Sequence, residues 1–420
     1  MPLDIELAIQ LLLVALGVAL VTKFTKRPYT IALVIWGLIL GLLHLIEPVH
    51  LSKDLVLTLF LPPLLFEGAL HIRSSVLRRR AGPVLGLALL GTLLTVFVIG
   101  AAAHWLLGFD WLTGLLLGAI IAPTDPVSVL ATFRAAAVNR DLATIVESES
   151  LFNDGIAVVL YVVLLGALGG EPLDPVQGLG NFALVVGGGL VLGVGLGMLA
   201  ARLLERMEDH LVQVMLTLVL VYGTFLLAEH LHLSGVIAVG VAGLAAGNQG
   251  LRSAPASSRE RVGLFWEIVA FLVNSVVFLL IGFELRPDQL LGDLASAALV
   301  FGVLMLTRAA IVYGLGALAH WRQGNLPWRW RHVILWGGLR GAVPVALALG
   351  LPPGLTGRDT LVQVIFGVVL ISLLGQGLTM PLLLRKLGLS RAGRAENRQK
   401  SETGTQQGDS MQPENTNVSV

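Results

Sequence analysis

Four carboxylates lie in apolar stretches where hydrocarbon disfavours them: Glu67, Asp125, Glu149 and Asp154. A charge at that depth costs several kcal/mol, so it faces a partner, a water-filled cavity or an ion path. Asp125 sits in Ala122-Pro123-Thr124-Asp125-Pro126. Each proline removes a backbone N–H and crowds the carbonyl four residues earlier. The pair predicts a helix that unwinds around Thr124 and Asp125 and frees carbonyls there. A broken helix within a bilayer survives where it lines a cavity, and freed carbonyls coordinate cations. A simple kink accounts for a lone proline, but not for an aspartate held between two.

Asp154 lies in Glu149-Ser150-Leu151-Phe152-Asn153-Asp154-Gly155. Helical spacing stacks Glu149 on Asn153 and Ser150 on Asp154. One stripe then carries two carboxylates, a hydroxyl and an amide, the oxygen-rich set that a hard monovalent cation prefers. Polar side chains also bond neighbouring membrane helices together, but that role seldom takes two acids. Glu67 follows Pro62-Pro63 by one turn, and Arg73 is close enough in sequence to make it an interfacial acid instead. The segment Trp336-Gly337-Gly338-Leu339-Arg340-Gly341-Ala342-Val343-Pro344 predicts a second weak or broken helix around a buried arginine. Arg340 requires an acidic partner, with Glu149 and Asp125 as candidates. Arg308 is either a second buried cation or a residue nearer one membrane face.

These residues need a membrane scaffold, and the composition supplies one. The 420 residues are 55% hydrophobic and 13% charged, with mean hydropathy +0.83, which places the chain among polytopic membrane proteins. A bilayer core of about 30 Å needs about 20 apolar residues per helix. Thirteen such runs are present, near 3–22, 29–46, 54–72, 83–107, 111–133, 141–168, 179–203, 211–231, 234–248, 262–285, 293–320, 331–351 and 360–384. The predicted fold is therefore all-α and polytopic, with about 13 transmembrane helices. The two broken spans, five and twelve, are seven apart, which reverses their orientation as inverted repeats require.

With the N-terminus outside, 23 of the 28 Lys and Arg residues fall on inner loops or the tail and three on outer loops. This bias puts the C-terminus in the cytoplasm. The first apolar run has acids in front and cations behind, opposite to a signal peptide, and reads as a retained span. Residues 1–389 form the transmembrane domain. The polar segment 390–420 reads as a disordered cytoplasmic tail.

Other features exclude alternatives. Without cysteine there are no disulfides or thiolate metal sites. The run Gly187-Gly188-Gly189, continued by Gly193, Gly195 and Gly197, reads as a small-residue packing face. It lacks the lysine and preceding strand of a phosphate loop. His104, His230, His232 and His320 fall at span ends, and Trp328, Trp330 and Trp336 read as interfacial anchors.

Together the segments Phe66-Glu67-Gly68, Ala122 to Pro126, Glu149 to Gly155 and Gly338-Leu339-Arg340-Gly341 resemble the cation:proton antiporter family of NhaP type, relatives of the eukaryotic sodium/proton exchangers. The resemblance covers all the spans and excludes the tail. It implies a sodium site made by the side chains of Asp154, Ser150 and Glu67 with the Thr124 carbonyl, and Asp125 close by. It also implies that Asn153 stabilises the crossed broken helices and that Glu149 pairs with Arg340. Electrogenic relatives carry aspartate where Asn153 stands, so exchange of one monovalent cation for one proton is implied. A homodimer in the cell inner membrane serving pH homeostasis is the expected setting. The transported ions are Na+ or Li+ against H+, and a small change in cavity size would admit K+. No cofactor and no nucleic acid are expected.

On this reading Asp154 binds either a proton or a cation, and alternating access carries whichever is bound; the protein is no enzyme. A cation channel on the same acidic path would conduct without proton coupling. An intramembrane aspartyl protease using Asp125 and Asp154 needs a Gly-x-Gly-Asp context, absent from Pro-Thr-Asp-Pro and Phe-Asn-Asp-Gly.

Overall fold

The structure, a computed structural model, describes residues 5–25, 29–43, 55–170, 175–253, 255–284, 287–318 and 326–390. The expected polar tail lies outside these residues apart from Ser390, as do His44, His50 and His320. The chain opens with α1 (Ile5–Thr25), α2 (Tyr29–Leu42), α3 (Leu61–His71), α4 (Ser74–Arg79), α5 (Ala81–Leu85) and α6 (Gly91–Leu107). Next come α7 (Trp111–Ile121), α8 (Pro126–Ala136), α9 (Arg140–Leu168), α10 (Pro175–Arg206), α11 (His210–His230), α12 (Gly235–Ala245) and α13 (Leu251–Ser253). The last six are α14 (Ala256–Glu284), α15 (Pro287–Leu318), α16 (Trp328–Trp336), α17 (Ala342–Leu349), α18 (Arg358–Ser372) and α19 (Leu378–Lys386). No strand occurs among the described residues. Single π-helical turns join α5 to α6, α12 to α13 and α18 to α19.

Among the described residues, seven helical stretches are long and apolar enough to cross a membrane, by length and composition. The fifth and twelfth expected spans are not among them, because each is cut in two. Residues 122–125 leave the helix between α7 and α8, and residues 337–341 do so between α16 and α17. The first cut follows from its prolines. Pro126 opens α8, where a missing N–H costs nothing. Asp125 caps that helix by accepting the Val127 N–H at 3.0 Å. The second cut has no side-chain cap and relies on glycines.

Two groups of helices pack around α9. In one, α2 lies along α14, α10 along α12, and α3 contacts α11, α12 and α14; in the other, α6, α7, α15, α17 and α18 pack together. Lipid is as apolar as leucine, so close backbone approach carries much of this association. A Cβ on Gly37 would overlap the Leu279 carbonyl oxygen, and one on Gly282 would overlap that of Val34. The backbones of α2 and α14 therefore touch. The glycine run of α10 behaves as expected: at Gly193 a Cβ would collide with the Ala238 oxygen, and at Gly197 it would meet the Ala242 Cα at 2.8 Å. Gly187 and Gly195, on the other side of the helix, face open space.

Candidate ion-binding site

The two helix breaks cross and touch. The Asp125 N–H donates to the Leu339 carbonyl at 2.7 Å, and a Cβ on Gly341 would fall 2.5 Å from the Asp125 Cβ. A crossing of this kind brings together two helix N-termini, positive by their dipoles, and two negative C-termini. Each end finds a buried opposite charge. Asp125 caps α8 and lies against Gly341, where α17 begins. Arg340 Nη1 donates to the Ala122 and Pro123 carbonyls past the end of α7. Arg308 donates through Nε and Nη2 to the Ile334 carbonyl near the end of α16.

Helix α9 ties the crossing to the rest of the protein. Ser150 Oγ donates to the Thr124 carbonyl at 2.5 Å. Asn153 Nδ2 donates to Thr124 Oγ1 at 2.8 Å, and its Oδ1 accepts the Thr124 N–H at 3.4 Å. All three residues are buried. Asp154 is 5% exposed, and its Oδ1 has no hydrogen-bond partner among the described residues. A buried, unsatisfied carboxylate oxygen is costly, so something outside the protein must complete it.

That oxygen belongs to a residue lining a cavity of about 60 Å³. Thr124, Asp125, Ser150 and Asp154 line one side of it, with Asn274 of α14 and Gly341 to Pro344 among the other walls. This is room for several waters or a partly hydrated cation. The oxygens of Asp154, Ser150 and Thr124 are the hard ligands that a monovalent cation takes.

Two expected contacts differ. Glu149 does not pair with Arg340: its carboxylate is gripped by Arg308, with Nη1 to Oε1 and Nη2 to Oε2 both at 2.9 Å. The requirement that Arg340 find an acid overlooked the carbonyls freed at Ala122 and Pro123, which both accept from its Nη1. Arg308 is accordingly the second buried cation, 8% exposed. Glu67 is mostly buried but does not line the cavity. Its Oε1 lies 3.7 Å from Arg134 Nη2 and 3.4 Å from His71 Nδ1, while its neighbours Leu64, Leu65 and Gly68 face the cavity.

One lining acid escaped the sequence reading. Glu147 of α9 is 8% exposed and faces the same cavity. The signal was present, since Glu147 stands three residues before Ser150 and seven before Asp154, on the same stripe.

Comparisons with other proteins fall on the whole of this framework. Residues 11–386 match the family described as sodium/hydrogen exchanger, transmembrane. The Na(+)/H(+) antiporter ApNhaP of Aphanothece halophytica is 42% identical over 406 residues, 95% of this chain and 78% of that protein. The Na(+)/H(+) antiporter NhaP of Pseudomonas aeruginosa is 40% identical, over 80% of this chain and 81% of its own. The structure of the sodium proton antiporter MjNhaP1 from Methanocaldococcus jannaschii matches with a TM-score of 0.76 at 24% identity. It covers 91% of this chain and 98% of the other, a likeness of fold.

Proposed function

The chain belongs to the sodium/hydrogen exchanger family, and from that premise we propose that it exchanges sodium, or lithium, for protons across the cell membrane. The observation that carries this reading is the Asp154 oxygen, buried and without a hydrogen-bond partner among the described residues, on a cavity that Ser150 and Thr124 also line. One carboxylate holds a proton or a cation and never both. Exchange is then obligatory, because each ion leaves only as the other replaces it.

In this mechanism Asp154, the Ser150 hydroxyl and the Thr124 carbonyl hold the cation. Asp125 adds negative charge at the cavity wall while capping α8. Glu67 joins them from α3 only after it leaves Arg134 and His71. Asn153 keeps the first break fixed to α9, and Glu149 with Arg308 holds α9 to α15. Arg340 closes the carbonyl end of α7. The group of helices carrying the crossing moves against the group built on α2, α3 and α14, exposing the cavity to one side at a time. The orientation has the N-terminus outside and the C-terminus in the cytoplasm, supported by the sorting of cations along the sequence, and the working unit is a homodimer.

The test is a pH-gradient dequenching assay in everted vesicles, run with sodium, lithium, potassium and calcium in turn. Sodium-dependent dequenching is the expected result. A sodium conductance with no proton movement would establish the channel instead.

A further inference from the structure

Glu147 is buried, ionisable and unaccounted for by the mechanism above. It is more than nine-tenths buried. Its carboxylate makes no hydrogen bond and no ion pair among the described residues, and it faces into the cavity that Asp154 lines. Seven residues of helix separate the two, roughly 10 Å along the α9 axis, so Glu147 occupies one arm of the cavity and Asp154 another.

The charges around that arm come from three other helices. Glu67 on α3 and Arg134 on α8 both act on Glu147 electrostatically. Arg134 lies 3.7 Å from Glu67 and 3.5 Å from Glu267 of α14. His71 follows Glu67 on α3, and Asp125 and Asp154 face the cavity further in. Arg134 thus has two acids of its own, and Glu147 is left without an ion-pair contact among the described residues. The ionised form of an acid buried in that way is strongly disfavoured unless a cation joins it, and otherwise it holds a proton.

We propose that Glu147 is a cation-handling carboxylate: a monovalent cation arriving from the Arg134 side is held there before it passes to Asp154. This rests on the exchanger reading and adds a step to it. Arg134 sets the threshold of the arm. By occupying Glu67 and Glu267 it limits the negative charge that an arriving cation meets.

The experiment measures half-saturating sodium for proton movement separately in everted and right-side-out vesicles containing the full chain. In Glu147→Gln, the half-saturating concentration rises five- to tenfold for sodium added on the Arg134 side, at least threefold more than on the opposite side. Glu147→Asp restores most of the difference. Arg134→Gln moves the same quantity the other way, lowering it on that side, and keeps the proposal testable if Glu147→Gln does not fold. Wild-type half-saturation in Glu147→Gln, or equal rises on both sides, overturns the proposal. If the wild-type protein moves no protons with sodium from either side, the exchanger reading itself fails. Exchange in the wild type with no sidedness in the variants removes Glu147 alone.

Discussion

Asp154 differs from Glu149, Asp125 and Glu67 in what its carboxylate touches. Glu149 has Arg308, Asp125 caps α8, and Glu67 has Arg134 and His71, whereas one Asp154 oxygen has no hydrogen-bond partner among the described residues. Asp154→Asn removes the carboxylate proposed to swap a proton for a cation while preserving shape. Exchange is expected to vanish with the protein still folded and inserted, and cation-dependent proton movement retained in that variant would remove the single-site mechanism. The Glu149 and Arg308 pair is expected to behave oppositely, through stability. Breaking a buried pair from one side costs about 3–5 kcal/mol, because the remaining charge is stranded. Glu149→Ala and Arg308→Ala should each lower the unfolding temperature, and the double mutant should recover part of the loss. The same cycle between Glu149 and Arg340 should be close to additive, since Arg340 donates to the Ala122 and Pro123 carbonyls. Strong coupling to Arg340 and none to Arg308 would mean that the bidentate contact does not exist in the membrane.

At the scale of elements, the breaks were legible and their partners were not. Proline and glycine act through the local backbone, so Pro123, Pro126, Gly337, Gly338 and Gly341 announce lost helix at residues 122–125 and 337–341. The stripe of Ser150, Asn153 and Asp154 follows from helical periodicity alone. What Arg340 and Arg308 touch depends on where carbonyls come free and how α15 lies against α9 and α16, and neither is written in residue spacing. Glu147 was legible in principle, because its stripe position is set by the same periodicity, but it precedes the motif that drew attention. The contact between the breaks gives an element-scale test. At Gly341 a Cβ would collide with the Asp125 Cβ, part of a capping residue with little freedom to move. Gly341→Ala is expected to push α17 off α8, costing about 1–3 kcal/mol as overpacking does, and to reduce exchange more than stability. Gly302→Ala in α15 meets open space and serves as the neutral control. Equal behaviour of the two variants in unfolding and exchange assays would show that the breaks do not touch.

For the whole molecule the question is how much charge crosses per cycle. Asn153 donates its amide N–H to Thr124 Oγ1 and accepts the Thr124 N–H at its Oδ1, so its work is mechanical and it offers no proton. With Asp154 as the one exchanging group, a proton crosses one way and a monovalent cation the other, and no net charge moves. Asp125, Glu67 and Glu147 are the acids whose titration within the cycle would change that count. Clamping the potential of proteoliposomes with potassium and valinomycin, once potassium is known not to be transported, decides the matter. Initial rates and final gradients of sodium-driven proton flux should be the same at every imposed potential, and a shift of both with potential rules out one-for-one exchange. Asn153→Asp is the companion variant, and here the hydrogen bonds set the expectation. A carboxylate in place of the amide cannot donate to Thr124 Oγ1, and it adds a buried charge close to Asp154. Loss of stability is therefore the first expected effect, measured as a lower unfolding temperature. Potential-sensitive transport follows only in the fraction of that variant which keeps the crossing intact.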